Sequence, residues 1–215
     1  MSDYSHIRKE VIMNIAIIGT GLMGSAIADA VQAAGHRLVI FDRDAARAAP
    51  LAARGAQVAE SVADALRRSE RAILVLPDAA CVEEALFAND ETRAALGGAR
   101  ILNASTTNAL EIVALAQRVA EAGGTLAEMS IMVGPDQVRA KESFFLLGAS
   151  DEDAPGWEET ILSFGGGVKR VGVVGDASKA EAPIVFASVL GLLTTAYSAA
   201  VALKLKLPPE LTSTY

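Results

Sequence analysis

The sequence predicts an α/β chain: a doubly wound, mostly parallel sheet followed by one long C-terminal helix. Three observations carry that expectation. Short apolar, β-branched runs alternate with helical stretches from residue 14 to residue 174, the pattern of successive βαβ units. The first run, residues 14–18, breaks at Gly19, Gly21 and Gly24 and passes at once into a small-residue amphipathic stretch. Residues 182–203 carry no charged side chain, which makes one helix that is apolar on nearly every face.

The glycine turn comes first. Gly19 lets the backbone turn sharply off the strand, Gly21 has no Cβ to obstruct a pyrophosphate, and Gly24 lets helix and strand pack closely. The free N–H groups and the dipole of the helix start favour an anion there. With Thr20, Leu22 and Met23, these glycines form the candidate phosphate turn of a Rossmann-like dinucleotide site. The competing reading is a Gly-rich βα turn that binds nothing.

Residues 22–34 read as a helix stopped by Gly35, and residues 37–41 as the second strand. Asp42 follows, 18 residues beyond Gly24. An acid there accepts hydrogen bonds from the adenosine ribose and favours NAD, whereas Arg43 next to it suits the 2′-phosphate of NADP. The balance leans to NAD. Asp42 has a second reading, as a cap for the helix beginning near Asp44.

Residues 45–54 form a short helix, 57–59 a short strand, and 61–68 a helix with Ser61 as its N-cap. Residues 72–76 are a continuous apolar run, as expected of a buried parallel strand. Pro77 ends it, and Asp78 starts a helix reaching Phe87. Residues 100–103 are the next strand, closing on Asn103, with the polar residues 105–108 at its end. A helix over 110–122 stops at Gly123 and Gly124, and residues 125–129 form a sixth strand. Such sheets bind ligands at the carboxyl ends of their strands. The glycine turn, Asp42, Leu76 with Pro77, and Ser105 with Thr106 all fall at such ends. Four strands therefore aim polar or permissive groups at one rim.

The last third reads as a strand over 143–149, a helix over 151–164, a strand over 168–174, and a very long helix stopped by Pro208 and Pro209. This divides the chain into an extension (1–12), a dinucleotide-binding domain (13–176), a long helix (177–207) and a tail (208–215).

Composition narrows the function. With 215 residues, 52% of them apolar and 21% charged, the chain can bury a substantial core. A net charge of −7 without a basic run argues against nucleic acid as a partner. Cys81 is the single cysteine, so no intrachain disulfide forms and a reducing, cytoplasmic setting fits. Cys81 reads as a small packing residue and His36, after Gly35, as a turn residue. No metal-spaced cluster is evident. The length of 182–203 approaches a bilayer span, but its Ala, Ser, Thr and Gly content reads as a packing helix rather than a membrane segment.

These motifs together resemble the β-hydroxyacid dehydrogenase family, which includes 3-hydroxyisobutyrate dehydrogenases, tartronate semialdehyde reductases, 6-phosphogluconate dehydrogenases and imine reductases. The resemblance covers residues 14–203. It rests on the glycine turn with Gly35 and His36, on Leu76 and Pro77 with Val82 and Leu86, on Asn103 to Thr106, and on Gly175, Asp176, Ala177, Ser178 and Lys179. It implies an NAD(P)-dependent oxidoreductase acting on a small hydroxy acid or aldehyde acid. Lys179 is then the general acid or base on the reacting oxygen. Ser105, Thr106, Ser130, Met132 and Gly134 face substrate, while Leu76, Pro77 and Asn103 lie near the nicotinamide.

The sequence departs from the family at several points. The asparagine usual four residues after the lysine is Pro183. The loop usually reading Asp-Ala-Pro-Val-Ser-Gly-Gly runs here from Glu128 to Gly134 without its Ser-Gly pair. Ser130 to Pro135, and Asn103, are closer to imine reductases, which commonly lack the lysine. An incomplete, non-catalytic dinucleotide-binding module is a further reading. Family members continue into an all-helical domain, whereas this sequence ends at Tyr215, so the helical domain is expected to be absent. The uncharged helix is then expected to pair two copies, through residues 180–205, as a homo-oligomer, most simply a dimer.

Overall fold

The apolar runs assemble into one layered α/β unit in the computed structural model, which describes residues 12–208. Its elements are β1 (Asn14–Ile18), α1 (Leu22–Ala33), β2 (Arg37–Phe41), α2 (Ala45–Ala52), β3 (Gln57–Val58), α3 (Val62–Arg67), β4 (Arg71–Leu74), α4 (Ala79–Phe87), α5 (Asp90–Ala95), β5 (Arg100–Asn103), α6 (Ala109–Glu121), β6 (Thr125–Ile131), α7 (Pro135–Arg139), β7 (Phe144–Gly148), α8 (Ala154–Phe164), β8 (Gly167–Gly172) and α9 (Asp176–Lys204). The proposed extension falls outside the described residues up to residue 11, as does the tail from residue 209.

The strands lie in the order β3-β2-β1-β4-β5-β6-β7-β8. Neighbours run parallel except β6 and β7, which are antiparallel. The chain builds outward from β1 to β3, then returns to place β4 on the other side of β1. A crevice opens where that order reverses, at the carboxyl ends of β1 and β4.

Alternation along β1 feeds two cores. Ile15 and Ile17 pack with Ile27, Trp157 and Phe164 on one face, while Ala16 and Ile18 pack with Leu74, Leu86 and Ile112 on the other. Both faces are covered, which is why the strands read as continuous apolar runs. Caps set the helix starts. The side chains of Asp44, Ser61, Asp78 and Asn108 each accept a first-turn N–H, and Asn108 forms a capping box with Glu111.

The differences from expectation are local. β4 ends at Leu74, two residues early, and β6 continues two residues further, to Ile131. Helices α5 and α7, of 6 and 5 residues, are too short to leave a periodic signal. His36 is more than a turn residue. Its ring is buried, Nδ1 accepts from Met13 N–H at 3.3 Å, and Nε2 lies 2.8 Å from Ser163 Oγ, which ties β1 to α8.

The first turns of α9 pack against β6, β7, β8 and α6. The rest leaves the sheet with Phe186 66%, Leu192 71% and Tyr197 74% exposed. By length and composition α9 could cross a membrane: its most apolar 18-residue window has a mean hydropathy of 1.9 and is 0% buried.

Candidate functional site

A cavity of about 660 Å³ occupies the crevice, a size ordinary for a small-molecule site. It runs along the carboxyl ends of β2, β1, β4, β5 and β6 to the start of α9. At one end it is lined by Asp42, Arg43 and Arg47, in the middle by Gly19, Gly21 and Gly24, and at the other end by Ser105, Thr106, Ser130 and Ser178.

The glycines have different reasons to be glycine. Gly19 has φ +96°, and a Cβ there would sit 2.3 Å from the Val75 carbonyl oxygen. A Cβ on Gly24 would sit 1.9 Å from the Gly19 carbonyl oxygen. Both are demanded by the turn itself. Gly21 is not: its nearest neighbour would be Arg47 Nη1 at 4.0 Å. The space above Gly21 is open, so the missing side chain serves whatever enters the cavity. That open cradle at the start of α1 fits a dinucleotide pyrophosphate.

Asp42 is built into the turn. Its Oδ2 accepts from Thr20 N–H at 2.7 Å and from Thr20 Oγ1 at 3.0 Å, and Oδ1 accepts from Asp44 N–H at 2.9 Å. Burial pushes the Asp42 carboxyl up, but these hydrogen bonds and the nearby Arg47 outweigh it and hold it below the usual carboxylate range. Thr20 is consequently buried behind the turn and does not line the cavity, whereas Leu22 and Met23 do.

At the other end, Ser105 Oγ accepts from Leu76 N–H at 2.8 Å and contacts the Leu74 carbonyl at 3.4 Å. It thereby holds the Leu76–Pro77 bend, whose residues line the cavity, as Ser105 does itself. Asn103 is buried beneath, with Nδ2 3.4 Å from the Ser105 carbonyl and 3.3 Å from Thr107 Oγ1. It shapes the loop without reaching the cavity surface. Ser130 lines the cavity, but Met132 and Gly134 do not. After Ile131 the chain turns away, Gly134 caps α7, and Arg139 of α7 pairs with Asp29 of α1 at 3.0 Å.

Lys179 also lies outside the lining. Its Nζ is 2.9 Å from Asp176 Oδ1, and its side chain is 66% exposed. Its neighbours Ser178 and Glu181, three residues apart and so on one helix face, do line the cavity. Glu128 lines it too, at the carboxyl end of β6. The sequence assigns no cavity-facing role to Arg47, Glu128, Ser178 or Glu181. Cys81 lines the cavity as well, instead of packing in a core. The hydrogen bond with Asp78 pushes its thiol up, which opposes nucleophile chemistry. Among the described residues, no group of three or more His, Cys, Asp or Glu side chains is placed to hold a metal.

The comparisons agree with this geometry. Residues 14–175 match the family described as the NAD binding domain of 6-phosphogluconate dehydrogenase. The chain belongs to this family. It is 25% identical to mitochondrial 3-hydroxyisobutyrate dehydrogenase of Bos taurus over 198 residues, covering 92% of this chain and 59% of that one. It is 32% identical to 2-hydroxy-3-oxopropionate reductase of Escherichia coli (strain K12), covering 63% of this chain and 52% of that one. The chain thus spans between half and two thirds of these two relatives. Among solved structures it is similar to the imine reductase of Myxococcus stipitatus. A variant of that enzyme in complex with NAD+ aligns with a TM-score of 0.87 and 25% identity, over 94% of this chain and 70% of that one. The same enzyme has also been solved in complex with NADP+. The cofactor of this Rossmann-like domain is NAD(P).

Proposed function

We propose that this chain binds NAD(P)H along the cavity and supports hydride transfer to or from a small hydroxy acid or aldehyde acid. The observation that carries the reading is one continuous cavity. It joins Asp42 and Arg43 to the open Gly21 cradle, and that cradle to Ser105, Thr106 and Ser130. The bound nicotinamide supplies or accepts the hydride. The chain's own residues do the rest. The Gly19–Gly24 turn (with Thr20, Leu22 and Met23) and the start of α1 hold the pyrophosphate. Asp42 accepts from the ribose, and Arg43 with Arg47 receives a 2′-phosphate, so both coenzymes are accommodated. Leu76 and Pro77 wall the nicotinamide end, and Asn103 fixes the loop behind it. Ser105, Thr106 and Ser130 orient substrate, with Met132 and Gly134 supporting that loop from behind. Lys179 leaves Asp176 and moves the proton at the reacting oxygen, where an ammonium also stabilises developing charge. We further propose that two copies pair through α9 in a reducing, cytoplasmic setting, supported by the exposed apolar face and the single cysteine.

A second reading, imine reduction, is favoured by one observation. Among the described residues, the reacting end of the cavity is lined by the carboxylates Glu128 and Glu181 and by no basic side chain. That suits a cationic substrate better than a carboxylate. Steady-state assays with NADH and NADPH against aldehyde acids and cyclic imines separate the readings. Turnover of aldehyde acids supports the first, turnover of imines alone supports the second, and coenzyme binding with neither leaves a non-catalytic module.

A further inference from the structure

Helix α9 begins without a cap of its own. Its N-cap position is Gly175, in the left-handed region at φ +98°, with no side chain to accept the first N–H groups. The acceptor comes from another element. Glu128 Oε1 accepts from Gly175 N–H at 2.6 Å and from Ala177 N–H at 2.8 Å, and Oε2 accepts from Ser178 Oγ at 2.7 Å. Glu128 is 3% exposed, and its carboxylate meets the positive end of the helix.

Space for this contact is built into the sheet. The residue paired with Glu128 across β6 and β7 is Gly148. A Cβ on Gly148 would lie 2.5 Å from Glu128 Oε1 and 2.8 Å from the Val173 carbonyl oxygen. A Cβ on Gly175 would lie 2.9 Å from Val113 Cγ2. Gly148 thus clears the path by which the Glu128 carboxylate reaches the start of a helix 47 residues away, while Gly175 lets that start sit close against α6. Two consequences follow for the cavity. Ser178, which Glu128 holds directly, and Glu181, one turn further, face the reacting end. Glu128 itself forms part of that wall.

The geometry points to Glu128 as a positioning residue that caps α9 from outside the helix and fixes the α9 face presented to the nicotinamide end of the cavity. This rests on the coenzyme reading above. The pyrophosphate turn and the Asp42–Arg43 end stand on other strands, so losing the cap misplaces the reacting end and leaves the adenosine end intact. A displacement of about 1 Å at a reacting centre lowers turnover roughly 100-fold.

The test uses the full chain with two probes, ADP-ribose, which lacks nicotinamide, and NADPH, whose fluorescence reports the nicotinamide surroundings. In Glu128→Ala the ADP-ribose Kd stays within about twofold of the parent, as for a change remote from the ligand. The emission of bound NADPH moves toward that of the free coenzyme. Glu128→Gln keeps an oxygen acceptor for both N–H groups and an amide to donate to Ser178, and it restores the parental emission. Gly148→Ala, whose Cβ intrudes on the Glu128 carboxylate and on the Val173 carbonyl that accepts the Asp176 N–H of α9, reproduces the alanine phenotype. The inference is overturned if Glu128→Ala leaves bound-coenzyme emission unchanged, or if ADP-ribose affinity falls in parallel. If the parent binds neither probe, the coenzyme reading fails first and this inference with it.

Discussion

Lys179 Nζ lies 2.9 Å from Asp176 Oδ1, and this pair turns the lysine away from a cavity that its neighbours Ser178 and Glu181 line. The pair is solvent-exposed, so little free energy holds it closed. The hydrogen bond from Lys179, with a second from Val173 N–H, holds the Asp176 carboxyl below the usual carboxylate range. What the pair does contribute is therefore present above the unfolded carboxylate pKa and is lost as pH falls through the lower folded value.

Two substitutions separate the proton-transfer candidates. Lys179→Ala should leave coenzyme Kd within about twofold and lower aldehyde-acid turnover by about 100-fold or more, the size of a general-acid effect. Glu181→Gln should leave aldehyde-acid turnover nearly unchanged. Steady-state kinetics with both variants decide it, because the reverse pattern assigns the proton to Glu181 and favours imine chemistry.

Gly21 and Gly24 should fail differently when replaced by alanine. Gly24→Ala places a Cβ against the Gly19 carbonyl, which is backbone and cannot swing aside. It should destabilise the fold by about 1–3 kcal/mol, as overpacking does, and weaken binding through distortion of the turn. Gly21→Ala meets only Arg47 Nη1, at 4.0 Å, an ordinary contact with the end of a flexible side chain. Its stability should stay within about 0.5 kcal/mol, as at ordinary surface positions, while NADH affinity falls by about tenfold or more because the cradle is filled. Denaturant unfolding and fluorescence titration measure the two quantities separately. Equal stability losses in the two variants would refute the distinction.

Asp42, Arg43 and Arg47 should divide the coenzymes between them. Replacing both arginines by alanine should weaken NADPH about tenfold or more, the scale of a lost charge-assisted contact, and leave NADH within about twofold. Equal weakening of both coenzymes would place the arginines elsewhere than at the 2′-phosphate. Asp42 adds a pH signature. Its lowered carboxyl binds a proton less tightly in the folded chain than in the unfolded one. The stability it contributes is full above the unfolded value of about 3.9 and drains away as pH falls through the folded value. The stability gap between the parent and Asp42→Asn should be constant from about pH 5 to 7 and close below about pH 4. A gap unchanged to lower pH would show that the Thr20 contact does not depend on charge.

Much of this fold was legible because its signals are local. The strand of β1, the Gly19–Gly24 turn, the caps Ser61 and Asp78, and the stop at Gly35 each lie within a few residues of what they control. What escaped was non-local. Nothing near Glu128 reveals that it caps α9, because its partners Gly175, Ala177 and Ser178 come together only through the antiparallel β6–β7 pairing. Lys179 was found by resemblance, but its direction depends on where the helix face turns, and a motif does not encode that. Ser105 was read as facing substrate, and its hydroxyl is engaged by Leu76 N–H, a contact between two strand ends. The rim was readable from strand ends, whereas the orientation of side chains on it was set by packing.

The apolar face of α9 carries the remaining prediction. Phe186 is 66% exposed, Leu192 71% and Leu193 59%, and the helix lies beyond the core along most of its length. Burying one such side chain stabilises an assembly by about 1.5–3 kcal/mol, so a few pairs suffice for a stable dimer. Two copies meeting through α9 bury equivalent residues on each side, as a two-fold interface requires. Sedimentation of the full chain should show a dimer or larger species at micromolar concentration. Phe186→Glu combined with Leu193→Glu should convert it to monomer with stability otherwise within about 0.5 kcal/mol per site, since both positions are exposed within one copy. A monodisperse parental monomer in buffer overturns self-association. Co-flotation of the parent, but not of the double variant, with phosphatidylcholine vesicles would instead identify α9 as a membrane-seeking helix, which its length and hydropathy permit.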